Sequence, residues 1–218
     1  MTDAHCHLPG GETRHFLCDP CESAPGVQDV RFIGLHPWLC DRELDLVDLR
    51  ARLAADPALG VGEIGLDRLK ERTISPRMRE VFAAQLVLAA EFRRPVVLHG
   101  AKCWGEVIRA LPQPSSLIPS FLFHGFSRSD GLLPEIVALN GYVSVGPSLL
   151  NDHAVNYCAL VRKVPIDRLL VESDRTSENA AAVPSVMDVA TRLSTLREVP
   201  LDRLVTQLEA NADAFLAR

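Results

Sequence analysis

Short apolar runs recur along this chain at a nearly regular interval. Residues 2–7, 31–36, 60–67, 95–99, 120–124, 142–146 and 168–174 each read as a strand. Stretches such as "RRPVVLHG" and "DRLLVESD" are continuous hydrophobics rather than alternations, the habit of parallel strands buried on both faces. Between them lie helical patterns. In "SPRMREVFAAQLVLAAEF", Met78, Phe82 and Leu86 stand four apart, with Ser75 as N-cap and Pro76 at the first helical position. "SDGLLPEIVALNG" closes on Asn140-Gly141, a helix stop. The last helix carries Leu204, Leu208 and Phe215 on one stripe. Strand and helix alternate with no linker or break in composition, which predicts a single α/β domain over residues 1–218. The repeat is close to the roughly 31 residues of a barrel unit. No Gly-rich dinucleotide fingerprint follows the first strand. An open doubly wound sheet fits the same alternation, but the expectation is a TIM-like (β/α) barrel, here with seven strands, closed or split where the second β/α unit is missing or reduced.

The strand ends share a chemistry that burial does not require. "MTDAHCHL" puts Asp3, His5 and His7 on alternate positions, and period two sends all three to one face. The second run ends in His36, the third carries Glu63, the fourth and fifth end in His99 and His124, and the seventh ends in Asp174. Active sites of parallel barrels sit at the C-terminal ends of the strands. Five of the seven histidines therefore converge with two acids, and only His15 and His153 lie elsewhere. Any one of them alone reads as an ordinary satisfied polar residue. So many imidazoles and carboxylates together are costly to desolvate unless a cation organises them. Imidazole with carboxylate suits zinc, manganese, nickel or iron. The donors outnumber the needs of one four-coordinate ion, which points to two ions sharing a carboxylate.

Composition narrows the partners. The net charge of -5 argues against a bulk electrostatic grip on nucleic acid, though a bound cation supplies local positive charge to a phosphate. No apolar run approaches the roughly 18 residues of a membrane span, and the N-terminal stretch lacks a signal-peptide layout. The expectation is a cytoplasmic protein, a monomer or weak homo-oligomer, with its six cysteines reduced.

"DAHCHL", "GLHPW", "GEIGLDR", "FAAQLVLA", "RRPVVLHG", "FHGFSRS", "YVSVG", "LLVESD" and "LEANADAFL" stand in the order in which similar motifs stand in the TatD family of metal-dependent deoxyribonucleases. The resemblance runs from residue 3 nearly to the end. It implies a TIM-like barrel that hydrolyses phosphodiester bonds, chiefly of DNA ends, with two divalent ions (Zn, Mn, Mg or Ni, zinc first among them). By that likeness His5, His7 and Asp174 hold the first ion, Glu63 bridges both, and His99 and His124 hold the second. His36 lies near the substrate phosphate. A metal-activated hydroxide attacks phosphorus, with Asp174 orienting the water and taking its proton. Asp3 is set too deep to be a ligand. It reads as an orienter of a neighbouring imidazole or as a purely structural acid.

The chain also departs from the family. Between His7 and His36 only a Gly- and Pro-punctuated stretch intervenes, as if the second β/α unit were lost. Cys18 and Cys21 in it form C-x-x-C, read as two thiols in preference to a structural zinc site. Where the family has Ser-Arg after the fourth strand, this chain has Ala101 and Lys102. Lys102, Arg68, Arg128 and Arg175 are candidates for a phosphate-gripping rim, weighed against solvated surface charge. Two alternatives stand beside the phosphodiesterase: an amidase or lactonase on the same metals, and a metal-binding protein without turnover.

Overall fold

A computed structural model describes residues 1–21, 24–70, 72–112, 117–127 and 130–217. Eight parallel strands stand side by side in chain order: β1 (Thr2–Cys6), β2 (Arg14–Cys18), β3 (Val30–Ile33), β4 (Gly60–Asp67), β5 (Val96–Ala101), β6 (Phe121–Phe123), β7 (Gly141–Val145) and β8 (Leu169–Val171). The ring closes through main-chain bonds beyond the last strand. Asp174 N–H donates to the His5 carbonyl, and the His7 and Leu8 N–H groups donate to the Arg175 carbonyl. This is the TIM-like barrel the strand pattern predicts, with eight strands rather than seven.

The additional strand is β2, inside the stretch read as lacking one. What the chain has shed is the helical part. Among the described residues, no helix joins β1 to β2 or β2 to β3. "RHFLC" is short, opens on two polar residues and has no amphipathic partner segment, so its period gives no signal. Packing reveals it instead. Phe16 and Cys18 are fully buried, and Phe16 meets Phe32 and Phe215 with ring centroids 5.7 and 5.6 Å away. At the other end of β2, His15 takes the place of a covering helix. Its main-chain N–H and its Nδ1 both lie 2.8 Å from Asp29 Oδ1, which ties β2 to the approach of β3.

Elsewhere each strand is followed by helix: α1 (Leu46–Ala55), α2 (Pro76–Glu91), α3 (Trp104–Ala110), α4 (Leu133–Ala138), α5 (Val155–Lys163), then α6 (Val186–Arg197) and α7 (Leu201–Leu216). Ser75 caps α2 by accepting from Met78 N–H, with Pro76 in its first turn. Met78, Phe82 and Leu86 are buried against the barrel, as their spacing requires. Asn211 sits on the buried stripe of α7 and donates to the carbonyls of Ile166 and Leu169, so the helix is fixed to the foot of β8. No helix among the described residues is long and apolar enough to cross a membrane.

Side-chain alternation explains where the chemistry stands. Val97, Leu122, Tyr142 and Leu170 belong to one apolar cluster with Phe16, Phe32 and Phe215. Two residues further along each strand, on the same face, come His99, His124, Ser144 and Glu172. An apolar layer therefore lies directly beneath a polar one, and the polar layer is at the C-terminal mouth.

Asp3 has the structural role rather than the imidazole-orienting one. It accepts from Ser173 N–H at 2.9 Å, from Ser173 Oγ at 2.5 Å and from the main-chain N–H of His5. Burial pushes its carboxyl up to about 6, against these bonds and with Glu12 adding to the rise. The acid fastens β1 to the residues after β8. Asp3→Ala leaves Ser173 N–H buried without a partner. A loss of about 3 kcal/mol in urea unfolding is expected, from the typical cost of an orphaned buried donor plus a charged acceptor. A change below about 1 kcal/mol would show that the seam does not depend on this residue.

Candidate metal centre

Glu63 lies in the middle of β4, fully enclosed, and five imidazoles surround its carboxylate. His5 Nε2 and His7 Nε2 are each 3.3 Å from Oε2. His99 Nδ1, His124 Nε2 and His36 Nε2 are 2.5, 3.0 and 3.5 Å from Oε1. Asp174 Oδ1 is 3.5 Å from His5 Nε2, with the side chain half exposed at the mouth. Gly65 makes this approach possible: a Cβ there would stand 2.0 Å from the His99 carbonyl oxygen. The sequence-predicted residues His5, His7, His36, Glu63, His99, His124 and Asp174 are thus brought together. Among the described residues three donor sets have atoms within 4.8 Å of one another: His5, His7 and Asp174; His5, Glu63 and His124; His36, Glu63 and His99.

The bonds on the far side of each ring decide which nitrogen offers a lone pair. His7 Nδ1 faces the carbonyls of Cys18 and Pro20 at 3.0 and 3.2 Å, so it carries the proton and Nε2 turns a lone pair inward. His99 Nε2 is 2.8 Å from Asp67 Oδ2, which leaves Nδ1 as the inward donor. His124 Nε2 also faces Glu63, while its Nδ1 is buried with no hydrogen-bond partner, 3.5 Å from Glu172 Oε2. His36 is opposite in sense. Its Nδ1 accepts from Trp38 N–H, so its neutral ring presents an N–H, not a lone pair, to the site. Burial keeps its pKa low, which favours that neutral form over the pull of Glu63. Both nitrogens of His5 are buried without a hydrogen-bond partner. A cation among these lone pairs would satisfy what the protein leaves unsatisfied, so the residues fit a divalent ion.

The electrostatics favour positive charge in the pocket, carried by protons on the rings or by a cation that displaces them. Burial alone would raise Glu63, but His124, His5 and His99 hold it well below the usual carboxylate range. The same balance works in reverse on the rings. Burial and the neighbouring His5 oppose charge on His124, yet Glu63 and Glu172 lift it to about 10. The pocket is built to hold positive charge.

Two acids that the strand-end pattern did not single out complete the shell. Asp67, at the end of "GEIGLD", accepts from His99, from Trp38 Nε1 at 2.9 Å and from the N–H groups of Leu69 and Lys70. Glu172, in "ESD", accepts from Gly125 N–H and from Ser144 Oγ. Their signal was positional: Asp67 lies four residues beyond Glu63, and Glu172 two before Asp174, on faces already assigned to the site.

Among the described residues, the expected phosphate rim does not assemble. Arg68 is 3.2 Å from Glu106 and Arg175 donates to the Ala180 carbonyl. Lys102 is exposed in the turn after β5, and Arg128 lies outside the described residues. These arginines are drawn to nearby acceptors on their own surface, and a sequence does not reveal such local competition. The mouth instead opens into a cleft of about 1020 Å³, running from His124 and Asp174 past Ser127, Ser148, Asn156 and Tyr157 along α5. Its lysine, Lys163, is paired with Asp130 at 2.5 Å.

Comparison with known proteins fits this geometry. The family described as TatD related DNase matches residues 21–217. The chain is 25% identical to the uncharacterized metal-dependent hydrolase YcfH of Escherichia coli, covering 94% of this chain and 91% of that protein. It is 29% identical to the 3'-5' ssDNA/RNA exonuclease TatD of Edwardsiella piscicida over 65% of this chain and 55% of the relative. The crystal structure of the TatD homologue YjjV from E. coli superposes with a TM-score of 0.82 at 23% identity, over 99% of this chain and 97% of that one. A lactonase of Listeria monocytogenes shares the barrel at a TM-score of 0.61 and 12% identity, a likeness of fold alone.

Asp67→Asn removes the carboxylate that sets the His99 tautomer. Zinc affinity, measured by competition with a chromophoric chelator, is expected to fall about 10- to 100-fold, the usual effect of losing such an orienting partner. An unchanged affinity would take His99 out of the ligand set.

Proposed function

Because this chain belongs to the TatD family of metal-dependent hydrolases, we propose that it cleaves phosphodiester bonds at nucleic-acid ends, using two divalent ions at the barrel mouth. His5, His7 and Asp174 would hold one ion, His99 and His124 the other, with Glu63 between both. The observation that carries this reading is the donor set itself: inward lone pairs on His7 and His99, a buried His5 with neither nitrogen satisfied, and a buried His124 whose Nδ1 has no partner. Of zinc, manganese, magnesium and nickel, the last two differ most: nickel accepts imidazole, magnesium prefers oxygen, and zinc suits this imidazole-rich set best. The name of the Edwardsiella relative, an exonuclease of single-stranded DNA and RNA, supports the choice of substrate.

When bound, the ions would lower the pKa of a water and offset the charge of a phosphate. The chain's own residues supply the rest. Asp174, half exposed beside His5, orients the attacking water and accepts its proton. His36 Nε2–H donates to a non-bridging phosphate oxygen, a task its neutral tautomer suits. Asp67 keeps His99 in the orientation that leaves its inner nitrogen free. The cleft along α5 takes the remainder of the substrate.

Purified protein should contain two divalent ions per chain by plasma mass spectrometry. It should hydrolyse bis-p-nitrophenyl phosphate and shorten single-stranded DNA. A chelator should abolish both activities, and Glu63→Gln should lower kcat by at least about 100-fold, as expected for a residue shared between both ions. Turnover of amides or lactones without phosphodiesters would assign an amidase or lactonase instead. Ion uptake without any turnover would assign a binding protein.

A further inference from the structure

Trp38 is the feature that neither the fold nor the ion site explains. It follows β3 in the turn Pro37–Leu39 and is 51% exposed, whereas Trp104 is buried at 5%. So large an apolar surface in water is usually a cost, yet this indole is held firmly in place. Its main-chain N–H donates to His36 Nδ1, and its Nε1–H donates to Asp67, the acid that also binds His99. Its ring centroid is 5.0 Å from that of His36 and 6.2 Å from that of His99. Lys70 Nζ stands 5.7 Å from the indole centroid, and the Lys70 N–H is fixed to the same Asp67. An aromatic plate thus stands at the lip of the site, tied into its hydrogen-bond shell, with the Lys70 ammonium over one face and the other face left for a base.

We infer that Trp38 is a stacking platform for a nucleobase next to the scissile phosphate, with Lys70 meeting a neighbouring phosphate. Every base has a π-face, so one indole grips single-stranded nucleic acid without reading its sequence. An immobilised ring loses little further entropy on binding. A site with an acidic balance and no arginine rim among its described residues thereby gains affinity that does not depend on bulk charge. The inference rests on the phosphodiester reading above and names the substrate feature that reading leaves open.

The test compares two substrates, a thymidine dinucleotide and the same phosphodiester with both bases removed. In the wild type, kcat/KM should favour the base-bearing substrate. In Trp38→Ala that preference should fall by about 5- to 150-fold, the range one base–aromatic stack contributes. Trp38→Phe should keep most of the preference, although it lacks the bond to Asp67, so a purely positioning role would move the two variants together. A preference unchanged in Trp38→Ala overturns the platform. Fluorescence reads the same contact without turnover: oligothymidylate should quench the wild type saturably and leave Trp38→Phe, which reports Trp104 alone, unaffected. Should the wild type cleave neither substrate, the phosphodiester reading fails. The quenching then decides the platform by itself, its absence overturning it.

Discussion

One carboxylate encircled by five imidazoles is the constraint on which the rest of this structure depends. Glu63 is enclosed on β4, and the rings around it come from the ends of β1, β3, β5 and β6. Such a group of polar side chains is costly inside a barrel unless something positive occupies the middle. Some rings are also held from outside, His7 by two carbonyls and His99 by Asp67, whereas His5 and the outer nitrogen of His124 have no partner. Beneath them the layer of Val97, Leu122, Tyr142 and Leu170 excludes water from below. The apolar floor and the polar ring are consecutive layers of the same strands, so the fold and the site have a common origin in strand alternation.

Much of this could be read from the chain alone, for identifiable reasons. Histidines at the ends of continuous apolar runs mark the mouth, because a parallel barrel sends all such ends to one side. The ladder of Met78, Phe82 and Leu86 marks a helix because its period matches one. Where the sequence was misleading, tertiary contacts override local signals. β2 gives no periodic pattern, and its identity rests on Phe16 meeting rings from β3 and α7. Asp3 shares a face with His5 and His7, yet Ser173, far along the chain, satisfies its oxygens. Arg68 and Arg175 are cationic in any listing of residues, but only coordinates reveal that Glu106 and a main-chain carbonyl have already engaged them.

The role of each imidazole is likewise a matter of its surroundings rather than its identity. His7 and His36 are both strand-end histidines with Nε2 toward Glu63. A pair of carbonyls behind one and an amide N–H behind the other give them opposite tautomers. The same residue type is thereby made a lone-pair donor in one place and a proton donor in the next. Functional assignment by residue type alone would have merged them.

The seam between β1 and the residues after β8 has a consequence for synthesis. His5 and His7 leave the ribosome well before Ser173, Asp174 and the carbonyl of Arg175. Chains are made from the N-terminus, so the early half already has strands to pair but no closed ring. The closing bonds of the ring, and the full donor set with Asp174, therefore cannot form until the residues after β8 have been made.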